Sequence, residues 1–523
     1  MLNVRFSTAA VVAAVTAGAA LVPSSALAAK GFTYGVTAAE VSSSSAVVWA
    51  RPNGAGTYVA HVATDKKFKH QVRAATVKST TGNDLTIQTK FRGLKPNKTY
   101  YYRFTGKGGK VSDTGRFRTA PGSKQKVNVN FAISGDADAQ PAVGANTPFF
   151  GNFAVYGAMA KMKNFFNINL GDTIYSDSEV PNQGALATTV QQKWAKYKQN
   201  LAQKNLQKLR ETGSVYNHWD DHEFQNDFSK AEFGNAIYQA GVKAFRNYMP
   251  TGFKRSSGLY RTFRWGKNLE LFFLDERSFR SAKASANHTC DNPTTGRPDN
   301  GPTAPANIRA TFSLLDPEFS QPVSQACLNA INDPNRTMLG SSQLKKFESA
   351  IKKSKATWKV IVNEVPIQQF YALPYDRWEG YAAERTKLLT YLSKNVKNAV
   401  FLTTDVHANL VNDVHFQTLE PGGVKKSGIE EFTTGPVGTG TFAQEIDGAI
   451  GRPGSGALVT QLFLHPQPPG GVGMQCANTD VFSFGQVSVT SKNFTVKLLD
   501  SKGKPIKDVS GAKCGPFKLK AKK

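Results

Sequence analysis

Acidic residues are scarce in this chain of 523 residues: 38 Asp and Glu stand against 65 Lys and Arg, a formal net charge of +27. Cysteine is scarcer, with four in all, and none of them falls in a short Cys-x-x-Cys spacing, which argues against a structural zinc site of the usual kind. Beyond the N-terminus no apolar run is long enough to span a bilayer. Dense basic runs are missing too, apart from the tail "KLKAKK", so the positive charge is spread over a surface that attracts polyanions rather than gathered in a nucleic-acid groove. The length exceeds what one small core uses and predicts two domains.

The N-terminus reads as an export signal over residues 1–28: Arg5, then the apolar "VVAAVTAGAALV", then Ala26-Leu27-Ala28 as a small-x-small cleavage site. Export to the periplasm, cell wall or medium permits disulfides, and sequence proximity favours Cys290 with Cys327 and Cys476 with Cys514 among three possible pairings. Residues 29–121 alternate apolar and polar positions in runs such as "SSAVVWARP" and "KTYYYRFTG", the pattern of an all-β sandwich. "LKPNKTYYYRF" is similar to the tyrosine corner of fibronectin type III-like domains, and "TAPGSKQK" reads as a linker before a second domain over 127–523.

In that second region apolar strands each stop at an acid: "VNVNFAISGDAD", "NFFNINLGDTIY", "LELFFLDER" and "AVFLTTDVH". A strand ending in Asp delivers its carboxylate to the mouth of a sheet, where α/β folds place their ligands. One such Asp caps a helix as readily as it binds anything. Here Asp136 and Asp138, Asp172 with Tyr175, Asp220 and Asp221 with His222, and Asp405 with His407 recur in series, and these residue types bind hard or borderline cations. "HWDDHEFQND" concentrates the scarce acid of the chain in one segment. Converged in space, the set would hold two or more metals and suits attack by a metal-activated water on phosphorus. Asp138 either joins the set or caps a turn. Asn363, ending "VIVN", either faces the site or forms a turn, and Arg277 in "LDERSFR" either reaches a phosphate or forms a salt bridge.

The order "GDAD", "GDTIY", "DDHE", "TDVH" resembles the calcineurin-like metallophosphoesterases. With "WDDHE", "DRWEGYAAER" from Asp376 to Arg385, "LYRTFRWG" and "LDERSFR", it resembles the bacterial alkaline phosphatase D (PhoD-like) family over nearly the whole mature chain. The resemblance implies a metallophosphoesterase α/β sandwich of two mixed sheets flanked by helices, preceded by the fibronectin type III-like domain. It also implies phosphomonoesterase and phosphodiesterase activity at a centre of Fe(III) and Ca2+. Carried over residue by residue, Asp172 bridges the metals, Tyr175 ligates iron, and Asp405 and His407 complete the iron shell. Asp221 holds calcium with Asp220 as its partner, and His222 supports the leaving group or the phosphoryl oxygens. Two departures stand out: Asp136 occupies the place of the family's cysteine ligand, which weakens the case for iron, and the leader has only Arg5 where members often carry two adjacent arginines. Expected partners are phosphate mono- or diesters, with a monomer favoured. A phospholipase D-type or nucleic-acid phosphodiesterase keeps the same ligands, whereas a polyanion- or wall-binding protein without catalysis would not need them.

Overall fold

The computed structural model describes residues 31–253 and 258–522; the expected signal segment lies outside the described residues. The first seven strands are β1 (Phe32–Ala39), β2 (Ser45–Pro52), β3 (Gly56–Ala63), β4 (Gln71–Ser79), β5 (Ile87–Arg92), β6 (Thr99–Gly106) and β7 (Gly115–Arg118). They form by period-2 burial: in β6, Tyr100, Tyr102 and Phe104 point into the core while Tyr101 and Arg103 stay half-buried. Strands β4, β3, β6 and β7 make a four-stranded antiparallel sheet.

Next come β8 (Val129–Ser134), β9 (Phe166–Leu170) and β10 (Ser214–His218), parallel to one another. Their residues are buried almost without interruption, as expected of parallel strands covered on both faces. A second group follows: β11 (Arg261–Trp265), β12 (Leu269–Phe273), β13 (Trp358–Val362), β14 (Ala399–Thr403), β15 (Asn409–Gln417), β16 (Lys425–Thr433) and β17 (Cys476–Asn478). The chain ends with β18 (Ser483–Val489), β19 (Asn493–Asp500) and β20 (Phe517–Lys520).

Two large mixed sheets result, in the orders β20-β19-β18-β8-β9-β10-β1-β2-β5 and β11-β12-β13-β14-β16-β15-β17. Their inner faces share one core, in which Phe131, Phe166, Ile168 and Tyr216 of the first meet Trp265, Leu271, Val360 and Leu402 of the second. Helices cover the outer faces. Tyr156, Trp194, Leu206 and Phe245 pack on the first sheet, and Leu344, Phe347, Leu388 and Leu392 on the second. The helix Ser341–Lys353 shows why: Leu344, Phe347 and Ile351 recur at spacings of three and four and form its buried stripe. The long polar run "VQQKWAKYKQNLAQKNLQKLRET" forms two helices, Val190–Leu201 and Lys204–Thr212, the first opened by a capping box at Thr189.

The N-terminal strands are divided between sheets. β1, β2 and β5 extend the nine-stranded sheet, with β1 alongside β10 in parallel at Ala38 and Ser214. The expected disulfides Cys290–Cys327 and Cys476–Cys514 are both formed.

Candidate metal centre

Because β8, β9 and β10 are parallel and in register, as are β12, β13 and β14, their C-terminal ends lie at one rim of the two sheets. The residues just past those ends turn sharply. Asp136, Asp172, Asp405 and His407 all have left-handed backbone, with φ of 63°, 45°, 75° and 47°. Such backbone costs roughly 1–2 kcal/mol per residue and persists only where the surroundings over-determine it, as at functional sites. Glycines make the close approach possible. At Gly171, with φ 85°, a Cβ would lie 2.5 Å from Asp220 Cβ, and at Gly435 it would lie 2.4 Å from Asp136 Oδ2.

The turns bring together nearly every residue that the motifs single out. Ligand atoms of Asp136, Asp172 and His407 lie within 4.8 Å of one another, as do those of Asp172, Asp221 and His222, and those of Asp220, Asp221 and Asp405. Tyr175 OH donates to Asp172 Oδ2 at 3.2 Å and lies 2.9 Å from His407 Nε2. Asp172 thus belongs to two groups and Asp221 joins the second to the third.

Further acids join the cluster. Asp376 opens the "DRWEGYAAER" stretch, and a further set of Asp221, Asp227 and Asp376 meets the same 4.8 Å limit. Asp177 accepts from His222 Nδ1 at 2.7 Å, and the His222 ring stacks on Tyr175 with centroids 4.1 Å apart. Glu445, on a surface helix, accepts from His407 Nδ1, and Glu179 lies 3.9 Å from the same nitrogen. Only proximity to the acidic motifs could have pointed to Asp177; nothing in the sequence points to Glu445.

Arg277 is fully buried and committed to carboxylates. Its Nε donates to Asp220 Oδ1, Nη1 donates to both oxygens of Asp376 at 2.8 and 2.7 Å, and Nη2 donates to Asp405 Oδ1 at 3.3 Å. Of the two sequence readings of Arg277, this geometry is the salt-bridged one. Asp138 accepts from Ser178 Oγ at 2.6 Å and from Gln140 N–H at 2.9 Å, holding its own turn. Asn363 donates from Nδ2 to Val365 O at 2.5 Å, and its Oδ1 is buried without a partner.

Burial is the dominant electrostatic fact. It pushes the Asp136 carboxyl up to about 7 and Asp220 up to about 6, and raises Asp172 and Asp405 well above the usual carboxylate range. Neighbouring acids add to the shift at Asp172, and at Asp220 the Arg277 guanidinium offsets part of it. For His222 and His407 burial acts downward but is outweighed. Asp221, Asp172 and Asp177 raise the first above the ordinary imidazole value, and Glu445 and Glu179 raise the second. Asp136 Oδ2 and Asp220 Oδ2 are buried with no hydrogen-bond partner. Unpaired buried carboxylate oxygens are expensive, and bound cations are what would satisfy them. The donor set, oxygen-rich with one phenol and imidazole nitrogen, fits hard or borderline cations.

A family model for the PhoD-like phosphatase matches residues 139–468, and one for the PhoD-like phosphatase N-terminal domain matches residues 16–121. Alkaline phosphatase D of Bacillus subtilis (strain 168) is 26% identical over 429 residues; the match takes in 73% of this chain and 66% of that protein, just under two thirds of its length. A solved structure of PhoD superposes with a TM-score of 0.69 at 22% identity, covering 93% of each chain. Purple acid phosphatase PPD1 from yellow lupin (Lupinus luteus) seeds superposes with a TM-score of 0.55 at 11% identity, covering 92% of this chain and 74% of that one, a likeness of fold alone.

Proposed function

The chain belongs to the PhoD-like phosphatase family, and from that premise we propose that it is an exported, metal-dependent hydrolase of phosphoric mono- and diesters. The observation that carries the reading is the pair of carboxylates, Asp172 and Asp221, each shared between buried ligand groups whose neighbours leave oxygens unpaired. Asp136, Asp172, Tyr175 and His407 would hold one cation, with Fe(III) the candidate that suits a tyrosine phenol. Asp172, Asp221, Asp220 and Asp405 would hold the oxygen-rich partner, with Ca2+ the candidate. Cations so held supply positive charge for phosphoryl oxygens and make water acidic near neutral pH.

The chain's own residues do the rest. Glu445 fixes the His407 ring from Nδ1, leaving Nε2 toward Tyr175 and the carboxylates. Asp177 does the same for His222, whose Nε2–H is then free to donate to a phosphoryl or leaving-group oxygen. Arg277 acts as a buried counter-ion that sets the positions of Asp220, Asp376 and Asp405, rather than as a phosphate clamp. Two disulfides support export. Hydrolysis of p-nitrophenyl phosphate and bis-p-nitrophenyl phosphate by the purified mature protein tests the proposal. Metal-dependent turnover of either supports it, and the ratio sets monoester against diester preference. No turnover of either after reconstitution with iron and calcium would overturn it.

A further inference from the structure

The helix Val190–Leu201 buries Trp194, Tyr197 and Leu201 on one face, and in the same stripe it buries Lys193, which is fully hidden from solvent. A lysine at such a place is costly, and a methionine of similar length would fill the space without that cost. Burial pushes the amine down to about 7, with Asp177 and Glu223 acting against the shift, and in either protonation state Nζ carries the hydrogens that its two bonds use. Those bonds go to Ser176 Oγ at 2.7 Å and to Phe224 O at 2.8 Å. One acceptor lies on the segment that follows β9 and the other on the segment that follows β10, so Lys193 ties the two together.

These two segments carry much of the candidate centre. The first, 172–178, bears Asp172, Tyr175 and Asp177; the second, 220–226, bears Asp220, Asp221 and His222. Further bonds run along the same seam. Ser176 N–H donates to His222 O at 2.9 Å, and Asn226 N–H donates to Asp177 Oδ2 at 2.6 Å. Glu223 closes the other end, accepting from Thr173 N–H at 2.6 Å and from Asp220 N–H at 2.8 Å. His222 stands between the two closures, with its ring stacked on Tyr175 and its Nδ1 bonded to Asp177. Both groups that orient the ring belong to the first segment, so the direction of His222 Nε2 depends on how closely the second segment is held to it.

We propose that Lys193 is a positioning residue for the hydrolysis: by tying Ser176 to Phe224 it holds the His222 segment against the segment of Asp172 and Tyr175, and so sets the place of the His222 donor relative to the phosphoryl group. The assignment rests on the hydrolase reading above and adds a residue that lies outside the acidic motifs. Lys193 touches no substrate; it acts through the two segments that it joins.

The test compares p-nitrophenyl phosphate with phenyl phosphate, whose leaving oxygen is the more basic, in the metal-loaded parent and in Lys193→Met. Protonation of the leaving oxygen matters more as that oxygen becomes more basic. A misplaced donor therefore predicts that Lys193→Met lowers kcat about tenfold with the first ester and about 10²-fold with the second, with bound metal close to that of the parent. The double variant with His222→Ala should fall no further than His222→Ala alone. Ser176→Ala, which removes one acceptor of the tie, gives the same readings should Lys193→Met not fold. Equal fractional losses with the two esters, or losses that multiply in the double variant, would overturn the positioning role and leave the hydrolase intact. Hydrogen exchange over residues 172–178 and 220–226 reads the tie without turnover. Faster exchange there in Lys193→Met, beside a parent that hydrolyses neither ester, would uphold the tie and overturn the hydrolase, whereas exchange equal to the parent's would overturn the tie.

Discussion

Asp172 is the residue on which the proposed centre turns, because its carboxylate belongs both to the group with Asp136 and His407 and to the group with Asp221 and His222. Asp172→Asn keeps the shape and removes the charge. Turnover should fall by at least about 10²-fold, with loss of bound metal seen by elemental analysis. His222, whose Nδ1 donates to Asp177, has a different part in the proposal, that of donor toward the substrate. His222→Ala should lower kcat by about 10²- to 10⁴-fold with metal content close to that of the parent. Residue types and motif order made Asp136, Asp172, Tyr175, Asp220, Asp221, His222, Asp405 and His407 legible in the sequence, since apolar strands ending in acid are unusual in so basic a chain. Arg277 was legible as a motif residue and ambiguous in role: its two readings differ only in which anion the guanidinium meets, and that is a matter of tertiary distance. Glu445 had no signal, because an acid on an amphipathic helix looks like any solvated face.

At the scale of elements, strands that end in tight left-handed turns set the geometry. Gly171→Ala places a side chain at φ 85° and 2.5 Å from Asp220 Cβ. A displacement of that carboxylate should cut kcat/KM by about 10²-fold and lower the melting temperature. Away from the centre, β15 and β16 set Asp413 opposite Glu430. Burial first, then the Asp413 charge, pushes Glu430 up from its usual 4.5 to about 7. A raised carboxyl pKa favours the protonated form in the fold. Its contribution to stability is therefore full below pH 4.5 and lost as pH rises through about 7. Glu430→Gln should melt with the parent at pH 4 and above it at pH 8, and parallel melting curves across that range would contradict this. Strand positions were readable because their buried runs are continuous. The break between the helices Val190–Leu201 and Lys204–Thr212 was not, since "NLAQKN" contains neither glycine nor proline, and it falls at Gln203, whose backbone is extended.

At the scale of the molecule, the N-terminal strands and the two large sheets share one core. Tyr58, Phe91, Tyr102 and Phe117 belong to the same apolar cluster as Phe166 and Val400. Polar ties reinforce it: Trp49 Nε1–H donates to Asn247 O at 2.7 Å, and Asp84 pairs with both Arg51 and Lys198 at 3.1 Å. Sequence patterning recovers β1 and β2 as strands but cannot say which neighbours they take, because alternation fixes a face and not a partner. Thermal unfolding should accordingly show one cooperative transition, and a chain lacking residues 31–121 should not yield a folded, active catalytic part. Two separate calorimetric transitions, or an active truncated chain, would contradict the shared core.

The central claim is that buried, unpaired carboxylates around Asp172 exist to hold catalytic cations. It is tested most directly by measuring bound metal and p-nitrophenyl ester hydrolysis in one preparation as it is stripped by chelator and then reloaded with iron and calcium, beside Asp172→Asn treated identically. The account predicts that metal and activity leave together and return together in the parent, and that neither returns in the variant. Activity that survives complete stripping, or reloading of the variant to full metal and full turnover, would contradict it.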